Sequence, residues 1–264
     1  MKIEIDGVNI DYSDEGAGLP IIFIHAFPLN RTMWGDQVAA LRPRFRVITL
    51  DLRGFGKSDA PGGPYTMDRM AADVRAVMRA LSVDNAVIAG CSMGGYAAFA
   101  FYRNYPEAAR ALVLVDTRAG LDTQEARARR EQSAEKAERE GARAIADDMA
   151  PVLLGSTTDA TRPEIVRRVR AMIEATSPRG IAAAQRGMAA RPDSTPLLSQ
   201  ITCPALVVAG SEDKLAGRAE AEAIAGKIPG ARLRVIESAG HLPSLERPEE
   251  FNEALIEFLD SLPE

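Results

Sequence analysis

A serine with a glycine two residues before it and two residues after it is the strongest chemical signal in this sequence. Ser92 is the centre of residues 90–94, GCSMG, and Gly95 follows. An apolar run at residues 86–89 precedes this segment and a helical pattern follows it, so Ser92 is expected on a sharp strand-to-helix turn. A serine in such a turn presents its hydroxyl at the edge of a sheet, where it can attack a carbonyl carbon. We therefore predict that Ser92 is a catalytic nucleophile.

A serine hydroxyl is a weak nucleophile unless a base lies within hydrogen-bond reach. The sequence contains only two histidines, His25 and His241. His241 follows the last predicted strand and precedes the last predicted helix, which places it at the sheet edge where Ser92 emerges. His25 follows an early strand, and its expected role is hydrogen bonding to the neighbouring loop backbone. We predict that His241 is the base.

An imidazole base needs a carboxylate that fixes its tautomer and stabilises its charged form. Asp116 and Asp213 each follow a predicted strand on the same side of the sheet, and both precede His241 in the chain. Asp213 lies where a strand stops and a loop begins, whereas Asp116 can instead cap the entry to the next segment. We predict Asp213 as the orienting acid, with Asp116 as the alternative and Glu212 as a solvated loop charge.

Backbone N–H groups suit the negative oxygen of a tetrahedral intermediate because they are held in place before charge develops. Met93 directly follows the nucleophile and supplies one such donor. The second is expected from the loop at residues 25–28, which follows an early strand. Phe27 is the predicted donor there, because Pro28 has no N–H.

Two glycine-containing segments imitate cofactor motifs but lack residues that those motifs need. Residues 56–58, GKS, resemble the end of a phosphate-binding loop, but Asp51 occupies the position of its first glycine. Residues 54–56, GFG, resemble the start of a dinucleotide fingerprint, but Asp59 occupies its third glycine position. With two histidines far apart and two cysteines that are not clustered, the sequence predicts neither a metal site nor a cofactor.

The elements that position these residues alternate between strands and helices. Residues 2–5 and 8–12 flank an Asp-Gly turn and predict an N-terminal hairpin. Apolar runs typical of parallel strands buried on both faces follow at residues 21–24, 46–50, 86–89, 112–115, 205–208 and 233–236. Helical patterns lie at residues 67–81, 94–105 and 216–228, and from Pro248 onward. This order predicts an α/β fold with a mostly parallel, doubly wound sheet.

Residues 118–200 break the alternation, because their pattern is helical throughout. An apolar face of one helix is marked by Ile165, Val169, Met172 and Ile173. Residues 122–144 contain no large aliphatic or aromatic side chain and predict an exposed, charged helix. We expect a helical cap at residues 118–200, inserted into a core domain formed by residues 1–117 and 201–264.

The sequence resembles the α/β-hydrolase superfamily over nearly its whole length. The matching segments are HAFP at residues 25–28, Trp34, DLRGFGKS at residues 51–58, the serine turn, GSED at residues 210–213 and GH at residues 240–241. Within the superfamily it is similar to carboxylesterases and 3-oxoadipate enol-lactonases. The resemblance implies an eight-stranded, mostly parallel sheet flanked by helices, with an inserted helical cap. It also implies a triad and two oxyanion donors, namely Ser92, Asp213 and His241 with the N–H groups of Phe27 and Met93. Ala26 departs from the family pattern, in which glycine often follows the histidine.

Hydrolysis of a small carboxylic ester through an acyl-enzyme is the expected activity, and hydrolysis of a lactone, particularly an enol-lactone, is the alternative. Cleavage of a C–C bond beside a ketone, perhydrolysis and ligand binding by a non-catalytic receptor are further options. Relatives that displace halide or open epoxides use an aspartate nucleophile, and Ser92 occupies that position here.

Large side chains near the oxyanion loop and in the cap are candidates for the substrate pocket. Trp34 and Met188 are the predicted substrate contacts, with core packing as the alternative. An enol-lactone that carries a free carboxylate needs a cation in the pocket. Arg186 and Arg191 are the candidates, because they lie where the cap returns to the core. The remaining cap arginines are expected to be solvated, namely Arg127, Arg129, Arg130, Arg167 and Arg168. A cavity lined only by apolar groups predicts a neutral ester.

Charge and hydropathy argue against several classes of partner. The 37 acidic and 32 basic residues give a formal net charge of −5, which argues against nucleic acid as the main partner. The longest uncharged run, residues 86–102, is too short and too rich in glycine for a membrane span. Residues 1–6 alternate apolar and charged types, unlike a secretory signal. We expect a cytoplasmic monomer or small homo-oligomer that acts on a small molecule.

Overall fold

Eight strands form one sheet in the computed structural model, which describes residues 1–263. The strands are β1 (Lys2–Ile5), β2 (Val8–Glu15), β3 (Pro20–Ile24), β4 (Arg46–Leu50), β5 (Ala86–Cys91), β6 (Ala109–Val115), β7 (Ala205–Gly210) and β8 (Arg232–Ile236). Their order across the sheet is β1-β2-β4-β3-β5-β6-β7-β8. The β1/β2 and β2/β4 pairs are antiparallel, and all other neighbours are parallel. The predicted hairpin and mostly parallel sheet are confirmed.

The central strands are apolar along their whole length because they are covered on both faces. Every residue of β5 and of β7 is buried. The parallel register pairs Cys91 with Val115 and Val115 with Val208. Strands β5, β6 and β7 therefore end side by side, and the residues that follow them meet at one edge of the sheet.

The helices of the described residues account for each sequence-predicted helix and add others. They are α1 (Gly35–Leu41), α2 (Met67–Ala80), α3 (Met93–Asn104), α4 (Gln124–Glu140), α5 (Ala142–Leu153), α6 (Ser156–Thr161), α7 (Pro163–Glu174), α8 (Pro178–Ala189), α9 (Thr195–Leu198), α10 (Gly217–Ala225), α11 (Pro243–Glu246) and α12 (Pro248–Asp260). The patterns at residues 67–81, 94–105, 216–228 and beyond Pro248 correspond to α2, α3, α10 and α12. Helix α1 and the 3-10 turn before it, Arg31–Trp34, were not predicted. None of the described helices combines the length and apolarity needed to cross a bilayer.

Helices α4 to α9 occupy the chain between β6 and β7, where the sequence predicts a helical cap. Helix α4 packs against α8, and α5 packs against α7. The buried residues of α4 are Ala134 and Ala137, so this highly charged helix packs through its small side chains. The helical character of this segment follows the prediction. Its treatment as a unit separate from the core stays a prediction.

Candidate active site

Ser92 lies on the turn between β5 and α3 in a backbone conformation that residues with a side chain rarely adopt. Its φ is 53° and its ψ is −110°, which lies outside the allowed regions for most L-residues. The N–H of Ser92 donates to the carbonyl of Val115 at 2.8 Å, and its carbonyl accepts from Oγ1 of Thr117 at 2.8 Å. Strain of this kind persists only where the surroundings fix it, and it is concentrated at functional sites.

The glycines on either side of Ser92 are required by the close approach of backbone segments. A Cβ on Gly90 would lie 2.1 Å from the carbonyl oxygen of Gly94, and a Cβ on Gly94 would lie 2.3 Å from that of Ile24. Both distances are far below the roughly 3.5 Å at which non-bonded heavy atoms meet without repulsion. Helix α3 therefore sits directly against the serine turn and the end of β3, which explains glycine at both positions.

His241 is buried in the loop between β8 and α11, and its backbone is held from two directions. Its own N–H donates to the carbonyl of Leu153 at 3.0 Å. The N–H groups of its neighbours, Gly240 and Leu242, donate to Oε1 of Glu246 at 2.9 and 3.1 Å. Sequence reasoning missed Glu246, whose only signal is a glutamate five residues after the histidine. These bonds fix the backbone that carries the imidazole ring.

Asp213 lies in the loop after β7 and faces the ring of His241. Its Oδ1 is 3.0 Å from Nδ1 of His241, although the ring N–H is not well aligned on this oxygen. The carboxylate also accepts the N–H groups of Leu215, Ala216 and Gly217 at 2.7, 3.1 and 3.0 Å. Burial opposes ionisation, but the contact with His241 and the backbone donors outweigh it and hold the pKa of Asp213 well below its usual range. Asp213 is therefore a carboxylate that can orient the imidazole.

Asp116, the alternative acid, lies beside the same pair but makes different contacts. It follows β6 with a φ of 41°, and its Oδ1 accepts the N–H of Gly210 at 3.0 Å. Burial, together with the nearby charge of Asp213, raises the pKa of Asp116 well above its ordinary value. The structure thus brings both candidate acids to His241, but it places the ionised one against Nδ1.

Among the described residues, Asp116, Asp213 and His241 have donor atoms that lie close enough together to bind one metal ion. One atom each from Asp116, Asp213 and His241 lie within 4.8 Å of one another. These atoms are already engaged, because backbone N–H groups donate to both carboxyl groups and Nδ1 of the imidazole faces Asp213. A cation would compete with those donors for the same lone pairs. The arrangement suits an orienting carboxyl pair better than a metal site.

Phe27 and Met93, the predicted oxyanion donors, each present an unused backbone N–H. Within residues 1–263, neither N–H has a hydrogen-bond acceptor. The loop that carries Phe27 is held by its neighbour Ala26, whose N–H lies 3.3 Å from Sδ of Met33. Free N–H groups in a fixed loop and at a helix start are the donors that an oxyanion requires.

His25 is enclosed in the core and is occupied by backbone contacts. Its Nδ1 lies 2.9 Å from the carbonyl oxygen of Ala26, and its Nε2 accepts the N–H of Leu52 at 3.0 Å. Burial lowers the pKa of His25, so the ring is neutral and Nδ1 is the donor. These bonds match the backbone-binding role expected for His25 and leave His241 as the imidazole that shares a cavity with Ser92.

A cavity of about 480 Å³ contains Ser92 in its wall. Phe27, Met188 and His241 also line it, so the structure brings together the predicted nucleophile, the predicted base and one predicted substrate contact. Tyr96, Arg118 and further polar residues of the lining were not identified from the sequence. They come from helix surfaces and loops whose orientation depends on tertiary packing.

Trp34, the second predicted substrate contact, is not part of this lining, and that prediction is corrected. Its side chain has no exposed surface. The ring centroid lies 4.8 Å from that of Phe23 and 6.2 Å from that of Phe251. Trp34 therefore packs in the core between β3 and α12.

Arg186 and Arg191, the predicted cations, do not line the cavity either. Arg186 binds two carboxylates of α4 on the outer surface, Glu131 and Glu138, at 2.7 and 2.8 Å. Arg191 is buried, with Nη1 2.7 Å from Asp122 and its guanidinium 4.2 Å from the ring of Tyr96. Arg129 and Arg130, which were expected to be solvated, do line the cavity, and so does Arg118 at the start of the predicted cap. Helix α4 has no apolar stripe, so its sequence does not reveal which side faces the core.

Residues 20–248 match the family described as alpha/beta hydrolase fold, and the chain belongs to this family of hydrolases. It aligns over 99% of its length with 98% of a thermophilic esterase from Thermogutta terrifontis, solved with malate bound, at 43% identity and a TM-score of 0.96. It aligns over 99% of its length with the whole of an enol-lactonase from Burkholderia xenovorans LB400, at 30% identity and a TM-score of 0.93. The 3-oxoadipate enol-lactonase 2 of Acinetobacter baylyi is 30% identical over 235 residues, which are 89% of this chain and 86% of that enzyme. These similarities confirm the predicted fold and the resemblance to esterases and enol-lactonases.

Proposed function

We propose that this protein hydrolyses small carboxylic esters through an acyl-enzyme formed on Ser92. The observation that carries the proposal is the arrangement at one sheet edge, where a serine on a strained turn shares a cavity with a histidine held against a carboxylate. A base, an orienter and free N–H donors beside a serine are the parts that acyl transfer needs. The esterase that is 43% identical over almost the whole chain supports the same activity.

In the proposed mechanism, Nδ1 of His241 faces Asp213, which leaves Nε2 as the nitrogen that serves Ser92. Nε2 takes the hydroxyl proton as the serine oxygen attacks the ester carbonyl, and the N–H groups of Phe27 and Met93 stabilise the oxyanion. The imidazolium returns this proton to the leaving alcohol, and the acyl group stays on Ser92. Water then attacks the acyl-enzyme by the same route, which releases the carboxylic acid and restores the hydroxyl.

Lactone hydrolysis is the second candidate, because it needs the same groups and differs only in that the alcohol remains attached to the acyl chain. The enol-lactonases that are 30% identical to the chain favour this candidate. Binding without turnover, as in a receptor, would use the same cavity but would not need a histidine paired with a carboxylate.

The test is transient kinetics with p-nitrophenyl acetate. An acyl-enzyme releases p-nitrophenol in a burst whose amplitude equals the enzyme concentration when deacylation is slower than acylation. We expect turnover through Ser92, and Ser92→Ala should lower kcat by about 10⁴-fold or more while the far-ultraviolet circular dichroism stays that of the folded protein. Absence of turnover in the wild type would favour a receptor, and a correctly folded Ser92→Ala variant with near-normal turnover would exclude this mechanism.

A further inference from the structure

The cavity that contains Ser92 is rich in cationic side chains, although the whole chain is acidic. The cations that line it are Arg118, Arg129, Arg130 and Lys214. The carboxylates that line it are Asp122 and Asp148. The chain as a whole carries a formal charge of −5. The charged side chains of the cavity lining are therefore positive on balance, whereas the chain is negative. A positive cavity favours anionic ligands.

Both of these carboxylates are already bound by cations. Asp148 is paired with Lys136, which lies outside the lining, at 2.6 Å. Asp122 is shared by two arginines, because it binds Nε of Arg130 and lies 2.7 Å from Nη1 of Arg191. One carboxylate thus faces two guanidinium groups, so this trio, in which Asp122 and Arg191 are buried and Arg130 is partly exposed, carries a net positive charge.

Arg130 is the member of the trio that reaches the cavity, and its orientation is fixed. Its Nε binds Asp122, and its Nη1 donates to Oε1 of Gln185 at 3.0 Å. Gln185 is itself held, because its Nε2 donates to Oγ of Ser133 at 3.0 Å. Nη2 of Arg130 has no acceptor among residues 1–263. The guanidinium is therefore held through Nε and Nη1, and the N–H groups of Nη2 are oriented in advance to donate to an anionic oxygen.

Three further cations stand around the same cavity without a carboxylate partner in the described chain. Arg129 lies on α4, next to Arg130, and is exposed. Lys214 follows Asp213 and is also exposed, whereas Arg118 binds the backbone carbonyl of Leu215. None of these three side chains has a carboxylate oxygen within 4.0 Å of its nitrogen atoms within residues 1–263. Charges at a cavity mouth attract an anionic ligand over a distance of about 10 Å at moderate salt.

We infer that this cavity selects esters that carry a second, free carboxylate, with Arg130 as the specificity-determining residue and Arg129 at the entrance. The substrate class is the monoester of a dicarboxylic acid, or an ester whose alcohol part bears a carboxylate. The inference rests on the proposed function, since Ser92 is assumed to attack the ester. It replaces the expectation that Arg186 or Arg191 supplies the cation, because neither reaches the cavity.

The first experiment compares two esters that share the acyl chain and the leaving group and differ at the distal carboxyl group. One is the mono-p-nitrophenyl ester of adipic acid, and the other is the same diacid ester with its free carboxyl methylated. Both release the same leaving group, so the ratio of their kcat/KM values reports recognition of the carboxylate. We expect the wild type to prefer the anionic ester by at least about tenfold at low ionic strength, and this preference to shrink in salt. A ratio of one or below would overturn the inference.

The second experiment removes the cations one at a time. Arg130→Gln should reduce the anionic-to-neutral ratio about tenfold, and Arg130→Lys should restore part of it because the charge returns without the planar guanidinium that Asp122 and Gln185 orient. Arg129→Gln should reduce the ratio less. Because Arg129 is exposed and makes no ion pair with residues 1–263, this variant keeps the test informative if Arg130→Gln does not fold. A ratio that is unchanged in both variants would show that other groups select the substrate.

A matched control separates cavity charge from total charge. Arg186→Gln removes one cation from the same cap, but its guanidinium binds Glu131 and Glu138 outside the cavity. We expect the ratio to stay at the wild-type value, and a fall as large as that of Arg130→Gln would point to a general effect of net charge.

If the neutral ester is hydrolysed through Ser92 and the ratio is one, the inference fails while the proposed function stands. If Ser92→Ala hydrolyses both esters normally, the proposed function itself fails.

Discussion

The carboxylate of Glu246 accepts the backbone N–H of Gly155 at 2.9 Å, and so joins the end of α11 to the segment between α5 and α6. Its other oxygen accepts the N–H groups of Gly240 and Leu242, which flank His241. Glu246 has no exposed surface and no cation within salt-bridge distance in the described chain. Its charge is therefore satisfied by three backbone donors, and one side chain couples the helical segment above the sheet to the histidine loop.

We predict that Glu246→Gln destabilises the protein and weakens catalysis together. The amide has one oxygen and one N–H₂ group, so at least one of the three backbone donors must face another donor. A buried polar group without a partner costs about 1–3 kcal/mol, and the histidine loop loses part of its support. Urea unfolding should show a loss in this range, and kcat should fall. The exposed Glu253→Gln variant is the control, and equal stabilities of the two variants would contradict the prediction.

The strained backbone at Ser92 predicts a stability difference between two inactive variants. Glycine tolerates a positive φ, whereas alanine keeps the Cβ that makes a φ of 53° unfavourable. The relief of about 1–3 kcal/mol of strain exceeds the extra backbone entropy that glycine loses on folding. Ser92→Gly should therefore be more stable to urea than Ser92→Ala by about 1 kcal/mol.

Ser199 provides the control for that comparison, because it is exposed and has a φ of −71°. At such an ordinary φ the order should reverse, with the glycine variant less stable than the alanine variant. If glycine is the less stable substitution at both positions, the conformation at residue 92 stores no strain.

The strands and the loops that carry Ser92, Asp213 and His241 could be predicted because their signals are local. Apolar runs buried on both faces have few alternatives, and the residues after β5 and β7 must meet at one sheet edge once the strands are parallel. The choice of Asp213 over Asp116 also rested on a local feature, the loop that follows β7. Its N–H groups at Leu215 and Gly217, together with the contact with His241, lower the pKa of Asp213.

The pocket lining could not be predicted, because it depends on contacts between distant segments. Trp34 is in the core because Phe23 and Phe251 enclose it, and these residues lie on β3 and α12. For a related reason, Arg186 was predicted to face the pocket and Arg130 to face solvent, and the structure shows the reverse. Helix α4 is charged around most of its circumference, so only its packing on α8 decides that Arg130 faces inward and that Arg186 of α8 faces outward.

The two carboxyl groups near His241 predict unequal effects on turnover. In Asp213→Asn the amide cannot stabilise the imidazolium and can favour the wrong tautomer, so kcat should fall by about 10⁴-fold. In Asp116→Asn the amide oxygen can still accept the N–H of Gly210, and kcat should stay within about tenfold of the wild type. Steady-state kinetics on one neutral ester gives both values. A larger loss for Asp116→Asn would assign the orienting role to the earlier strand.

The same two substitutions predict opposite changes of stability with pH. The pKa of Asp213 is lowered in the folded protein, so its ionised form contributes stability above the unfolded pKa of about 4. That contribution is lost as the pH falls through the folded-state pKa. Asp213→Asn should therefore be least stable relative to the wild type at neutral pH, and the difference should narrow on acidification.

The contribution of Asp116 to stability changes with pH in the opposite direction, because burial and the charge of Asp213 raise its pKa in the folded protein. The folded state then holds a proton that the unfolded chain releases above about pH 4, so the contribution of Asp116 is fully present in acid and declines as the pH rises through the folded-state value. An asparagine at this position does not titrate, so it causes no loss of stability as the pH rises. Its side-chain oxygen can still accept the N–H of Gly210. The melting temperature of Asp116→Asn minus that of the wild type should therefore increase from pH 4 to pH 8. Thermal unfolding at several pH values measures this difference, and a decrease over the same range would mean that Asp116 is ionised in the folded protein.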